Sequence, residues 1–431
     1  MSAASEARRG DPALPITVLE RGYEVSYAAC GIPYLIAGEV TDESDLIHHT
    51  PGDFLRERGI HVRTGAEAVA IDAEARTVSL ADGGRVSYGS LVVATGARPA
   101  PPDIPGIDLP GVVSLRAVSS ARGVRERLMA VPRPRVVLLG SGPIGVEMAE
   151  AVRERGAEVT VVERGPRALP ALGEPAASRV ARALEGAGVT IRTGAEASAI
   201  RAGATGLVVT VDGADVPADL VVLGTGVTPN SEIAAAAGGA RGEAGRISVD
   251  RRGRTSVEGV WAAGDCATAH HRVLDRPAWI PLATTANAQG RVVGRDLTGR
   301  PARFAGVLGS WVSRFRDVAF GATGIDAPTA AGEGFAPRVV TGEAGDRSAY
   351  MPGAGAVVVS LVWDEPTGRL LGGQIAGSGE VSTRLHTLAT AITAGMTIRA
   401  LAECDFGYAP PLSPLRDPIE LAAAAAIGDA A

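Results

Sequence analysis

The segment ITVLERG at residues 16 to 22 recurs as VTVVERG at 159 to 165. Two further pairs follow in the same order: GIHVRTGAEAVAI (59 to 71) with GVTIRTGAEASAI (188 to 200), and SLVVATGARP (90 to 99) with DLVVLGTGVTP (219 to 229). Matched segments in one order mean that a module of well over a hundred residues occurs twice. The chain is therefore bound to build the same unit two times. The runs VVLLG, VTVVE and LVVLG are short, apolar, rich in β-branched residues and closed by glycine. Such runs predict strands of a buried parallel sheet. PIGVEMAEAVRERGAE, between the first two, carries apolar residues at helical spacing. Strand, glycine turn, helix and strand in that order predict a dinucleotide-binding βαβ unit.

In the second module the glycine fingerprint is complete, GSGPIG at 140 to 145. Gly140 and Gly142 suit a tight turn and the close approach of a pyrophosphate, and Gly145 suits close packing of helix on strand. Glu163 ends the next strand, where a carboxylate can accept from ribose hydroxyls and repel a 2′-phosphate. NADH is favoured over NADPH on this basis, with Arg164 and Arg167 near enough to soften the preference. In the first module Glu20 takes the place of Glu163 and SAASEARRG takes the place of the helix. The matching strand and glycine turn would fall upstream of Met1. Because that strand is central in a doubly wound sheet, a slot between its neighbours and loss of the main pyrophosphate contacts are expected. The expectation is that Met1 is internal to a longer product, with a genuinely truncated product as the alternative.

Composition narrows the chemistry. All 42 basic residues are arginine, which excludes a lysine Schiff base and a P-loop lysine. The net charge is −6, and no basic run with interleaved aromatics occurs, so nucleic acid and anionic membrane are poor partners. No apolar run approaches the roughly 20 residues that cross a bilayer, and MSAASEARRG lacks an apolar signal core. A cytoplasmic location is expected. Cys30, Cys266 and Cys404 are too few and too scattered for a disulfide framework or a zinc cluster. Any cysteine chemistry belongs to a single thiol.

Cys30 is the candidate. In SYAACGIPYLIAG, Pro33 suits the first turn of a helix, so the sulfur would lie near a helix N-terminus that favours a thiolate. Cys30 also follows the first module's ribose-binding strand. Cys266 and Cys404 are read as structural. His48 and His49 precede Pro51 in a loop and are read as surface.

SYAACGIPY, the two nucleotide modules, LVVATGARP, VWAAGDCAT, IPLATTANAQGR, AYMPGA and GYAPPLSPLRDP together resemble the single-cysteine flavin-dependent pyridine nucleotide disulfide oxidoreductases, the coenzyme A disulfide reductase group in particular. The resemblance implies two duplicated, doubly wound α/β dinucleotide-binding domains and an α+β dimerisation domain. The expected division is 1–110 and 231–303 for the FAD domain, 111–230 for the NAD(P)H domain, and 304–431 for dimerisation. It implies FAD and NADH (or NADPH) as cofactors, a homodimer with shared active sites, and coenzyme A disulfide or a related small disulfide or persulfide as substrate. By motif, Cys30 is the redox nucleophile, and Tyr350 and Tyr408 are the phenols beside it, supplied by the second subunit. Glu20, Thr95, Gly96, Arg98 and Asp265 fall at FAD positions, Gly226 stands in the second module's copy of the ATG motif, and Arg9, Ser26, Arg58 and Arg416 fall at coenzyme A positions. Solvated surface is the alternative for these arginines. Two-cysteine relatives carry a second cysteine where this chain has Leu35, and the commoner single-cysteine motif has asparagine where this chain has Ala29. Two rivals to the disulfide reductase follow: an NADH oxidase or peroxidase cycling through a cysteine sulfenic acid, and a flavin-free nucleotide-binding dimer without catalysis.

Overall fold

The computed structural model describes residues 1–242 and 245–428. The first module opens with α1 (Ser2–Gly10), β1 (Ile16–Leu19), α2 (Ile32–Ala37), α3 (Pro51–Arg58) and β2 (Ile60–Arg63). An antiparallel meander follows, β3 (Ala68–Asp72), β4 (Thr77–Leu80) and β5 (Arg85–Ser87), then β6 (Leu91–Val93) and β7 (Ala97–Pro99).

The second module repeats this order. It runs β8 (Val112–Val113), α4 (Val118–Ala130), β9 (Arg135–Leu139), α5 (Pro143–Glu154), β10 (Glu158–Glu163), α6 (Glu174–Gly186) and β11 (Val189–Thr193). Its meander is β12 (Ala197–Ala202), β13 (Leu207–Val211) and β14 (Ala214–Ala218), followed by β15 (Leu220–Leu223) and β16 (Val227–Pro229). The first module then resumes with α7 (Glu232–Ala236), β17 (Val260–Ala262), β18 (Ala269–His271), β19 (Arg276–Ala278) and α8 (Ala283–Leu297). The expected domain boundaries at 110, 230 and 303 all lie between elements.

The two modules differ in how their parallel strands are joined. In the second, β11-β10-β9-β15-β8 form one sheet with β9 between β10 and β15. Alternate residues of these strands face opposite layers: Val136 and Leu138 join a core with α4, α5 and α6, while Val137 and Leu139 join one with the meander. In the first, the equivalent strands form two separate pairs, β1 with β2 and β6 with β17. Antiparallel pairing of β7 with β16 ties the modules together.

Helix α1 stands where the duplication placed it and is held by α8. Gly290 and Gly294 of α8 admit the helix backbone closely: a Cβ on Gly294 would lie 2.5 Å from the Ala3 carbonyl. Beside them Glu6, 4% exposed, accepts from Arg9 and Arg295 and pairs with Arg300.

The C-terminal region is α+β. An antiparallel sheet of order β20-β21-β24-β23-β22 comprises β20 (Trp311–Phe315), β21 (Val318–Gly324), β22 (Pro337–Gly345), β23 (Ala356–Asp364) and β24 (Leu370–Gly377). Around it lie α9 (Ala327–Gly332), α10 (Val381–Thr393), α11 (Ile398–Ala402) and α12 (Pro418–Ala426). No described helix is long and apolar enough to cross a membrane.

Candidate active site

The second module's turn has the expected geometry. Gly140 adopts φ +97, and a Cβ on Gly145 would lie 2.2 Å from the Gly140 carbonyl oxygen. Gly142 is the N-cap of α5, makes no side-chain cap, and has open space where a Cβ would point. Uncapped N–H groups facing open space fit a pyrophosphate. Glu163 ends β10 as predicted, but its carboxylate is turned inward. Oε2 accepts from the Ser141 N–H (2.9 Å) and Oγ (2.8 Å), Oε1 accepts from the Gly165 N–H (2.7 Å), and the residue is 9% exposed. Gly226, at φ +95, has open space at its Cβ and accepts from the Ala100 N–H.

The first module offers a more open acid. Glu20 accepts from the Gly22 N–H at 2.7 Å through Oε1, and Oε2 has no partner among the described residues. Asp265 is half-buried and its carboxylate makes no hydrogen bond among the described residues. Burial pushes its pKa up, opposed by the Arg116 guanidinium. Two carboxylates short of donors fit sugar hydroxyls, Glu20 at an adenosine ribose and Asp265 at a ribityl chain. Thr95 donates to the Asn230 carbonyl, Gly96 accepts from the Asn230 N–H, and Arg98 bonds Asn230 and pairs with Glu232. These three fasten the crossover between modules.

Cys30 lies in a 3-10 turn, Ala29–Gly31, that leads directly into α2. The turn is exposed, while Ile32, Leu35 and Ile36 behind it are buried with Met148 and Ala149 of α5. The fold thus holds Cys30 at the surface against a buried apolar base. Leu35, at the place of a second cysteine, belongs to that core with 1% exposure. Cys266 is fully buried and donates to the Val93 and Ala263 carbonyls, and Cys404 donates to the Ala400 carbonyl, as structural thiols do.

The environment of Cys30 corrects one expectation. Burial, then the Glu147 and Asp265 carboxylates, push the thiol pKa up, opposed by Arg116 and a backbone hydrogen bond. Within this chain the resting sulfur is held toward the thiol.

Glu147 and Arg116 were not singled out by sequence. Glu147 accepts from Ser313 Oγ of β20 at 2.7 Å, and Glu150, one turn on, accepts from the Arg316 N–H at 2.9 Å. The pair fastens the C-terminal sheet to α5. Burial raises both carboxyl pKa values. The spacing VEMAE in an otherwise apolar helix is the signal that could have revealed them. Arg116, in a loop without periodicity, had none.

The coenzyme A candidates are scattered. Arg9 pairs with Glu6. Arg58 bonds Ser5 and His49 and lies 5.0 Å from the Phe54 ring centre, so its guanidinium is largely engaged. Ser26 occupies φ +53 and accepts from the His48 N–H. Arg416 donates to Glu420 at 2.9 Å. Tyr350 and Tyr408 lie on the C-terminal domain with Leu412 and Leu415, all four exposed. Hydrogen bonds from Ser348 and Tyr350 lower the Tyr408 pKa.

Two nucleotide-binding modules, one exposed thiol beside their junction and a third, antiparallel domain define a two-nucleotide oxidoreductase. The chain belongs to the pyridine nucleotide-disulphide oxidoreductase family, which matches residues 1–290, and the dimerisation domain of that family matches residues 312–417. This family works with a flavin and NAD(P)H. The chain is 36% identical to an NAD(P)H coenzyme A polysulfide/persulfide reductase of Pyrococcus horikoshii, over 97% of this chain and 94% of that protein. It is 32% identical to an NADH oxidase of Methanocaldococcus jannaschii, over 98% and 95% respectively. The structure of an NAD-dependent persulfide reductase from A. fulgidus superposes with a TM-score of 0.95 at 37% identity, covering 99% of this chain and 81% of that one.

Proposed function

We propose that this chain is an FAD-dependent NAD(P)H:disulfide oxidoreductase whose one redox thiol is Cys30, acting on coenzyme A disulfide or a related small disulfide or persulfide as a homodimer with shared sites. The observation that carries it is the setting of Cys30: exposed, on a turn backed by the buried residues of α2, within the electrostatic reach of a carboxylate from each nucleotide module, with leucine in the second-cysteine position. In a disulfide cycle without a second cysteine beside Cys30, the partner sulfur comes from the substrate.

Glu20 and Asp265 would hold FAD at its adenosine ribose and ribityl chain, and the turn from Gly140 to Gly145 would hold NAD(P)H. FAD, when bound, supplies two-electron relay between reduced nicotinamide and sulfur. The Cys30 thiolate attacks one sulfur of the substrate disulfide, forms a mixed disulfide and expels one thiolate. Two electrons then cleave the mixed disulfide, restoring the Cys30 thiolate and releasing the second thiolate. Each released thiolate takes up a proton, for which the second subunit's Tyr408, paired with its Tyr350, is the donor.

The NADH oxidase among the similar proteins favours a second reading, in which Cys30 cycles through a sulfenic acid. One assay separates the two: free thiol formed and oxygen consumed per NADH oxidised, in FAD-supplemented protein showing oxidised-flavin absorption. Two thiols per NADH with coenzyme A disulfide, and little oxygen uptake, are expected. Oxygen uptake equal to NADH oxidation, unaffected by the disulfide, would leave the oxidase in its place.

A further inference from the structure

We infer that Arg384 is the positioning residue of the phenol pair: its buried guanidinium joins the loop that carries Tyr350 to the segment that carries Tyr408, and so sets the proton donor of the disulfide half of the reaction. The inference rests on reading those tyrosines as part of the active site.

Both phenols stand on irregular chain. Tyr350 lies in the connection 346–355 between β22 and β23, and Tyr408 in the connection 403–417 between α11 and α12. Both side chains are exposed. No ladder or helix fixes these segments relative to each other, so their alignment needs bonds of its own. One such bond runs from the Ser348 N–H to the Pro410 carbonyl at 3.1 Å. Ser348 and Tyr350 also donate to the Tyr408 phenol oxygen.

The second link runs underneath. Arg384, on α10, is 5% exposed and is the one buried arginine among the described residues. Its Nε donates to Asp417 Oδ2 at 2.8 Å, and its Nη2 donates to the Asp346 carbonyl at 3.0 Å. Each acceptor ends one of the two segments. Asp346 closes the neck of the Tyr350 loop: its N–H donates to the Gly355 carbonyl and its Oδ1 accepts from the Gly355 N–H, both at 2.9 Å. Its Oδ2 accepts from Ser378 and Arg347. Asp417 closes the Tyr408 segment by capping α12, with Oδ1 accepting from the Ile419 N–H at 2.9 Å. One planar fork therefore binds both ends.

Stability alone does not account for this arrangement. A buried ion pair gains little once both charges are desolvated. Arg384 Nη1 is also buried without an acceptor among the described residues, which is a further cost. What a rigid guanidinium bonded to two loops supplies is a fixed separation between them. Lysine offers one ammonium on a flexible stem and does not reproduce the fork.

The test compares wild type with Arg384→Lys in the whole chain, supplemented with FAD. Ionisation of Tyr408 is followed by phenolate difference absorption, each protein being referenced to its own Tyr408→Phe counterpart. Bonds from Ser348 and Tyr350 favour the phenolate, so their loss should raise the midpoint in Arg384→Lys. Thiol production from coenzyme A disulfide should fall about tenfold, whereas flavin reduction by NADH without disulfide should stay within about twofold of wild type. Asp417→Asn keeps an oxygen for the Ile419 N–H, removes the charge facing Arg384, and should move both readouts in the same direction. An unchanged Tyr408 midpoint in both variants, or equal loss of flavin reduction and thiol production, overturns the positioning role. Wild type that forms no thiol, with a midpoint that still shifts in Arg384→Lys, supports the link between the loops and overturns the disulfide reading beneath it.

Discussion

At the scale of single residues, the setting of Cys30 determines when the sulfur reacts. With burial and two carboxylates raising its pKa, alkylation by iodoacetamide in flavin-free Cys404→Ser protein should reach half its maximal rate at a pH above that of a free cysteine peptide. Glu147→Gln removes one of those anions and should move the midpoint down. An unchanged midpoint would show that the sulfur does not sense Glu147. Cys30→Ser should lower thiol production from the disulfide by about a thousandfold or more, while binding of ADP is retained. Cys30 was legible in the sequence because a glycine and a proline mark the turn around it. Its electrostatics were not, since Glu147 reaches it from another domain and Arg116 from an unpatterned loop.

At the scale of elements, the docking of α1 on α8 should set the acid limit of stability. Glu6 is buried among Arg9, Arg295 and Arg300, and these hold its pKa at about 2. Its folded value lies below its unfolded value of 4.5, so its stabilising contribution is complete above about pH 5 and disappears as pH falls toward 2. After allowance for screening of half-exposed arginines, that contribution is about 2 kcal/mol. Denaturant titrations of Glu6→Gln should show a loss of about that size at pH 7 that shrinks as pH falls from 5 to 3. A pH-independent difference would mean that shape, not charge, secures the helix. The repeat made α1, β10 and α5 legible, because each copy supplied a template for the other, whereas the antiparallel meanders were not read from it. The same pairing made the separation of β1–β2 from β6–β17 legible, since in the second module β9 joins the equivalent strands and the first module has no counterpart of it among the described residues. The inward turn of Glu163 was hidden: the serine that turns it lies in the variable position of the fingerprint.

At the scale of the whole molecule, the exposed surface bearing Tyr350, Tyr408, Leu412 and Leu415 bears on assembly. Leu412 and Leu415 are 68% and 76% exposed, a poor arrangement for a lone domain and a usual one for the centre of an interface. The matching dimerisation domain contains Tyr350, Tyr408, Leu412 and Leu415. If each active site joins Cys30 of one subunit to the phenols of the other, two inactive variants should complement. Cys30→Ser subunits retain both tyrosines, and Tyr350→Phe/Tyr408→Phe subunits retain the thiol. A mixed dimer then contains one site with both parts and one with neither. Random reassembly of equal amounts makes half of the dimers mixed, so about a quarter of wild-type activity per site should return, whereas each variant alone remains inactive. Were the tyrosines to serve the thiol of their own subunit, every site in the mixed dimer would lack one part. No activity would return, and shared sites would be excluded even though the dimer had formed.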